Sequence, residues 1–274
     1  MGGIISSRIA GSSCQGDNPS YNQDFQRDTV AEVDMFSGFS DESFIFFREL
    51  AKNNSKVWFD RNRDRYEAHV SGLFRSLLYA LEPSLLKLHP HFETSGKTNR
   101  NFSRINRDIR FSKDKSPYKS NYYLYVFDSR RDRAGDGRLY VGLSAECVTV
   151  GFSIYATWGK DPKGALETVF RPRFQRQGDQ FRRLLDTLVR KKRFETFWHR
   201  QEKGEWVLHP GLPRKDVDWL TLQAWIVRRV FEPGSRGLDT PGFVKQVEKI
   251  FRELLLLYVF TSVSGPRGKD ALTG

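Results

Sequence analysis

The chain has 274 residues, 38% of them hydrophobic, with 22 Phe, 10 Tyr and 6 Trp, enough for a sizeable core in one domain with tails. Its two cysteines, Cys14 and Cys147, argue against a disulfide framework or zinc cluster and fit a reducing compartment, and the longest apolar run, at 254–260, is too short to span a bilayer. Net charge is +12; residues 1–34 hold two basic against five acidic side chains, −3, so 35–274 carry +15 and favour an acidic partner unless the charge serves solubility alone.

Residues 1–34 are rich in Gly, Ser, Asn, Asp and Gln and read as a disordered tail. Its start, MGGIIS, fits N-myristoylation of Gly2 with Ser6 in the required place, and Cys14 offers a palmitoylation site. One myristoyl chain binds membranes with only about 10⁴ M⁻¹, so a second signal would be needed. No secretory hydrophobic region stands there.

Folded sequence is expected from Met35 to residue 263, with a short tail from Ser264. Ser40 reads as the N-cap of a helix bearing Phe44, Phe47 and Leu50 and ending near Asn53-Asn54. A second helix is predicted from Ser55 to about Leu81, closed by Pro83. His89 and His91 would share one face of a strand, but two histidines without a third ligand do not make a metal site.

Residues 104–119, RINRDIRFSKDKSPYK, carry six basic and two acidic side chains, net +4. Ile105, Ile109 and Phe111 anchor the run between its charges, and Ser116-Pro117 imposes an extended or turn geometry. Arg forks bind phosphate or carboxylate bidentately, Lys adds point charge and Tyr a directional donor. The candidate anion-binding set is therefore Arg104, Arg107, Asp108, Arg110, Lys113, Asp114, Lys115, Tyr118 and Lys119. The competing reading is an internal ion-pair network.

Beyond it, 121–127, 139–144 and 148–157 read as an antiparallel meander turning at RAGDGR, with Cys147 a small core residue at a strand junction. Asp161 and Pro162 open a helical region to about Phe194. Residues 171–200 hold ten basic and three acidic side chains, and Arg176, Arg183 and Arg190, seven apart, would line one face. The RKKR run at 190–193 resembles a nuclear-localisation patch, a common accident within helices. A hairpin around Lys203-Gly204, a late strand over 221–231 and a final helix from Thr240-Pro241 to Tyr258 complete the chain. The class is α+β: N-terminal helices, a central antiparallel sheet, then helices packed on it.

No Walker loop, dinucleotide fingerprint or nucleophile elbow occurs, and Ser112-x-x-Lys115 lacks the companion motifs of penicillin-recognising enzymes. No cofactor or metal is implied. FSGF at 36–39, NN at 53–54, WF at 58–59, NRDRY at 62–66 and above all RINRDIRFSKDKSPYK resemble the uncharacterised family catalogued as domain of unknown function 2461, over about 35–263. The resemblance implies a domain boundary but no reaction. Three functions remain open: binding of a phosphate- or carboxylate-bearing small molecule, with or without catalysis; nucleic-acid binding through the basic surface; and a scaffold held at a membrane surface by its acylated N-terminus.

Overall fold

The computed structural model describes residues 35–110, 114–131, 136–156, 164–190 and 194–262. Helix α1, Asp41–Lys52, follows Ser40 as expected, with Asp41 and Glu42 in its first turn and Lys52 in its last, matching the helix dipole. Phe44, Phe47 and Leu50 are buried.

The single helix expected over 55–81 is instead broken into pieces. Helix α2, Lys56–Arg61, starts where Trp58 N–H donates to the Ser55 hydroxyl, and Asn62, at φ −112 and ψ 17, separates it from α3, Arg63–Tyr66. A π turn, Glu67–Ser71, then leads into α4, Gly72–Leu88. Gly72 permits that turn, because a Cβ there would lie 2.5 Å from the Glu67 carbonyl oxygen. Pro83 does not close the helix; it sits inside α4. The carbonyl it leaves without an N–H belongs to Tyr79, a solvent-exposed residue, while Leu81 and Leu85 on either side of Pro83 are buried.

The meander forms as expected from β1 (Asn121–Val126), β2 (Arg138–Ser144) and β3 (Val148–Tyr155). A second hairpin joins β4 (Glu195–Glu202) to β5 (Glu205–Pro210) through Lys203 and Gly204, whose φ values of 49 and 87 suit a tight turn that follows strand twist. Strand β6, Leu222–Phe231, lies between β3 and β4, giving a six-stranded antiparallel sheet in the order β1-β2-β3-β6-β4-β5. The C-terminal half adds α5 (Arg171–Arg190) after a π turn at Leu166–Phe170, α6 (Asp216–Leu220) and α7 (Phe243–Thr261). Helix α7 begins two residues past Pro241, where Phe243 N–H donates to the Thr240 carbonyl at 3.1 Å. The class is α+β, with helices before and after the sheet. Among the described residues no helix is long and apolar enough to cross a membrane.

Alternation decides which sheet face meets the helices. On β1, Tyr122, Leu124 and Val126 are buried while Asn121, Tyr123 and Tyr125 are half-buried. The register places Val141, Val150, Phe152 and Trp225 on the face of Leu124. That face receives Phe74 of α4 on Tyr122, and Phe170 and Phe181 on Trp225. Phe181 also stacks on Phe260 of α7 at 4.2 Å between centroids and packs edge-on to Trp219. Truncation at this junction of three helices and the sheet leaves a cavity. Phe181→Ala should lower unfolding free energy by about 3–5 kcal/mol, measured by urea denaturation.

Candidate functional site

The basic stretch folds as a two-limbed arm extending from the sheet edge. Arg107 N–H donates to the Pro117 carbonyl and Lys119 N–H to the Ile105 carbonyl, each at 2.8 Å, with Asn106 opposite Tyr118. Asn54 clamps it: its Nδ2 donates to the Tyr118 carbonyl at 2.9 Å and its Oδ1 accepts the Tyr118 N–H at 3.0 Å. The Tyr118 ring stacks on Phe59 at 4.1 Å, and both Tyr118 and Ile105 are buried. Asn54 and Phe59, beside and on α2, thus hold an arm 64 and 59 residues further along the chain.

Much of the arm's charge is engaged within it. Arg107 Nη1 lies 2.7 Å from Asp114 Oδ2. Arg110 meets Asp108 through Nη2 at 2.7 Å and Nε at 3.0 Å. Lys115 Nζ donates to the Ile109 carbonyl and Lys119 Nζ to the Arg104 carbonyl, each at 2.9 Å. Asp114 also accepts from the backbone N–H and the hydroxyl of Ser116. Hydrogen bonds from Arg110 hold the Asp108 carboxyl down at about 2, and Ser116 lowers Asp114. Arg104 is exposed. The structure therefore gathers Arg104, Arg107, Asp108, Arg110, Asp114, Lys115, Tyr118 and Lys119 on one arm; Lys113 lies outside the described residues, as do Gly2 and Cys14.

The arginines of α5 do not form the straight row that sevenfold spacing suggests. Gln177, at φ −130 and ψ 20, kinks the helix between Arg176 and Arg183, and the Arg190 side chain is outside the description. Arg176 and Arg183 are exposed along an open groove of about 1020 Å³ beside α6, which also carries Asp179 and Asp216. Arg182 lies in that groove, bonded to both carboxylates.

The two histidines are structural neighbours: His89 packs 5.0 Å from Phe92 and 5.9 Å from His91, with burial lowering its pKa. Cys147 is half-buried beside Ser144, and burial raises its thiol pKa.

A second constellation lies on the outer face of the sheet. Tyr123, Tyr125, Arg138, Tyr140, Thr149, Ser153, Tyr155, Ile226 and Arg228 surround a cavity of about 150 Å³. Tyr123 stacks on Tyr125 at 5.5 Å and meets Tyr140 edge-on at 5.9 Å. The Arg138 guanidinium lies 4.4 Å from the Tyr125 ring centre and 5.3 Å from that of Tyr155, with Nε 3.4 Å from the Ser153 hydroxyl. Arg228 sits 4.9 Å over Phe197, its Nε 3.3 Å from Glu195.

Two glycines make this close packing fit. A Cβ at Gly142 would stand 2.4 Å from the Tyr123 ring, and one at Gly151 would stand 2.8 Å from the Arg228 Cβ. Burial raises the hydroxyl pKa of Tyr123 to about 12 and also raises those of Tyr140 and Tyr155. These phenols therefore remain protonated donors at neutral pH.

The sequence reading missed this basin. Its local signal was Tyr123 and Tyr125 two apart, hence on one strand face. Nothing local tied them to Arg138, Tyr155 and Arg228, which three further strands bring together.

The match of a family model settles the chain's kinship. It covers residues 42–260 and describes a conserved hypothetical protein of domain-of-unknown-function family 2461. The chain belongs to that family. No curated protein matches it. The family span includes both the arm and the basin and excludes the N-terminal segment bearing Gly2 and Cys14.

Two outcomes are expected of the arm. Asn54→Ala removes both bonds to Tyr118 and should cost about 1–3 kcal/mol in urea unfolding. Because the folded pKa of Asp108 lies below its ordinary 3.8, its ion pair adds stability above that value and loses it as pH falls toward about 2. The melting-temperature difference between wild type and Asp108→Asn should therefore be constant from about pH 5 upward and shrink as pH falls toward about 2.

Proposed function

We propose that the protein binds a phosphate- or carboxylate-bearing ligand in the basin on the outer face of its sheet. The observation that carries this reading is the convergence of Arg138, Arg228, four tyrosines, Thr149 and Ser153 on one cavity, with no carboxylate among its described lining residues. Guanidinium groups give bidentate, charge-assisted hydrogen bonds to such anions. Neutral phenols and hydroxyls add directional donors in a partly desolvated setting, where each bond is stronger than in water.

The arm contributes differently. Arg107, Arg110, Lys115 and Lys119 have partners within it, so they support the reading through a positive field that draws anions toward the domain. The groove beside α5 is less favoured, because Arg182 there meets two carboxylates, Asp179 and Asp216, whereas Arg228 of the basin meets one, Glu195.

Titration with inorganic phosphate and with citrate, read by melting temperature at constant ionic strength, tests the assignment. Wild type should be stabilised, and an Arg138→Ala, Arg228→Ala double variant should lose at least about tenfold in apparent affinity. Arg110→Ala should respond like wild type. Loss of the response in Arg110→Ala with retention in the double variant would move the site to the arm.

A further inference from the structure

We infer that the ligand of the outer face is single-stranded nucleic acid, whose bases stack on the face's rings while its phosphates meet Arg138 and Arg228. This rests on the outer-face reading and names its ligand class. The face carries the same pairing of ring and guanidinium twice, as Arg138 on Tyr125 and Tyr155 and as Arg228 on Phe197. A repeated ring-plus-cation unit matches a polymer that repeats a planar base and a phosphate.

The spacing agrees. Tyr125 on β1 and Phe197 on β4 are separated by four strand intervals in the sheet order, about 19 Å at roughly 4.8 Å each. One base cannot span that distance, whereas sheet platforms that stack about two or three bases can. Tyr123, Tyr125, Tyr155 and Phe197 are half-buried, not sealed in the core.

The preference for single strands follows from geometry. Stacking on a protein ring needs an open base face, which a duplex keeps paired and stacked. Charge complementarity is supplied by residues 35–274, which carry +15. Two guanidinium groups stand among the described residues that line the basin, so the salt dependence should be shallow, with a log–log slope of about −1.4 at roughly −0.7 per phosphate contact.

Fluorescence anisotropy of the full-length chain with labelled ten-nucleotide oligothymidylate tests this beside the same-length duplex. Phosphate-induced stabilisation is measured in parallel. The single strand should bind at least tenfold tighter than the duplex. Phe197→Leu and Tyr155→Leu, each checked for native circular dichroism and melting, should weaken it at least about fivefold. Phe197→Leu, which lies outside the basin lining, should leave the phosphate response intact.

If phosphate stabilises the protein through Arg138 and Arg228 but the oligonucleotide fails to bind, the inference falls and the anion reading stands. Equal affinity for duplex, a slope much steeper than about −1.4, or indifference to both ring substitutions would also overturn it. Failure of both phosphate and oligonucleotide would remove the anion reading as well.

Discussion

Strand β6 is the element on which the rest of the structure depends. It is hydrogen-bonded on both edges, to β3 and to β4, and so joins an N-terminal meander to a C-terminal hairpin in one sheet. Its alternation carries Trp225 and Val227 toward the helices and Ile226 and Arg228 toward the outer face. Trp225 anchors the helical layer through Phe170, Phe181 and Trp219, and its indole N–H donates to Thr196 of β4. The same strand thus builds the core and delivers a guanidinium to the basin. A one-residue slip would exchange those roles, which is why a sheet buried on one face holds its register.

The two basic regions illustrate how burial changes what a charge does. On the arm, Arg110 and Asp108 are exposed and satisfy each other over two residues of chain, a contact that water and salt screen strongly. Such pairs orient a loop more than they stabilise a fold. On the outer face, Arg138 and Arg228 lie over aromatic rings in a partly desolvated setting, where attraction between cation and ring is stronger. Density of positive charge along the chain therefore does not say which guanidinium groups already hold a carboxylate: Arg107 and Arg110 of the arm do, and so does Arg228 of the outer face.

The π turn, the kink at Asn62 and the internal Pro83 show where helical periodicity ceases to be informative. Apolar spacing over residues 55–81 is continuous enough to suggest one helix, and the buried residues Phe59, Val70, Phe74, Leu77 and Leu81 follow from it. The breaks come from contacts that periodicity does not encode. Asn54 reaches forward to Tyr118, and Phe59 must face the same ring. Arg65 bridges back to Glu42 and Glu49 on α1. A straight helix would have to meet these demands from one continuous cylinder, and the kink and widened turn relax that constraint.

By itself the sequence determined the α+β class, the meander, the hairpin at Lys203-Gly204, the core faces of α1, α4 and α7 and the family. Each of these depends on periodicity, turn chemistry or motif spacing within a short window of chain. It also marked residues 104–119 as a unit, because Ser116-Pro117 and the interleaved Ile and Arg residues are local features. Tertiary structure decided the rest: that Asp108 and Asp114 pair with the arm's own arginines, that β6 enters the middle of the sheet, and that Tyr123, Tyr125, Arg138, Tyr155 and Arg228 share one cavity. These residues come from four strands spread over more than a hundred positions, and only the pairing register places their side chains on one face.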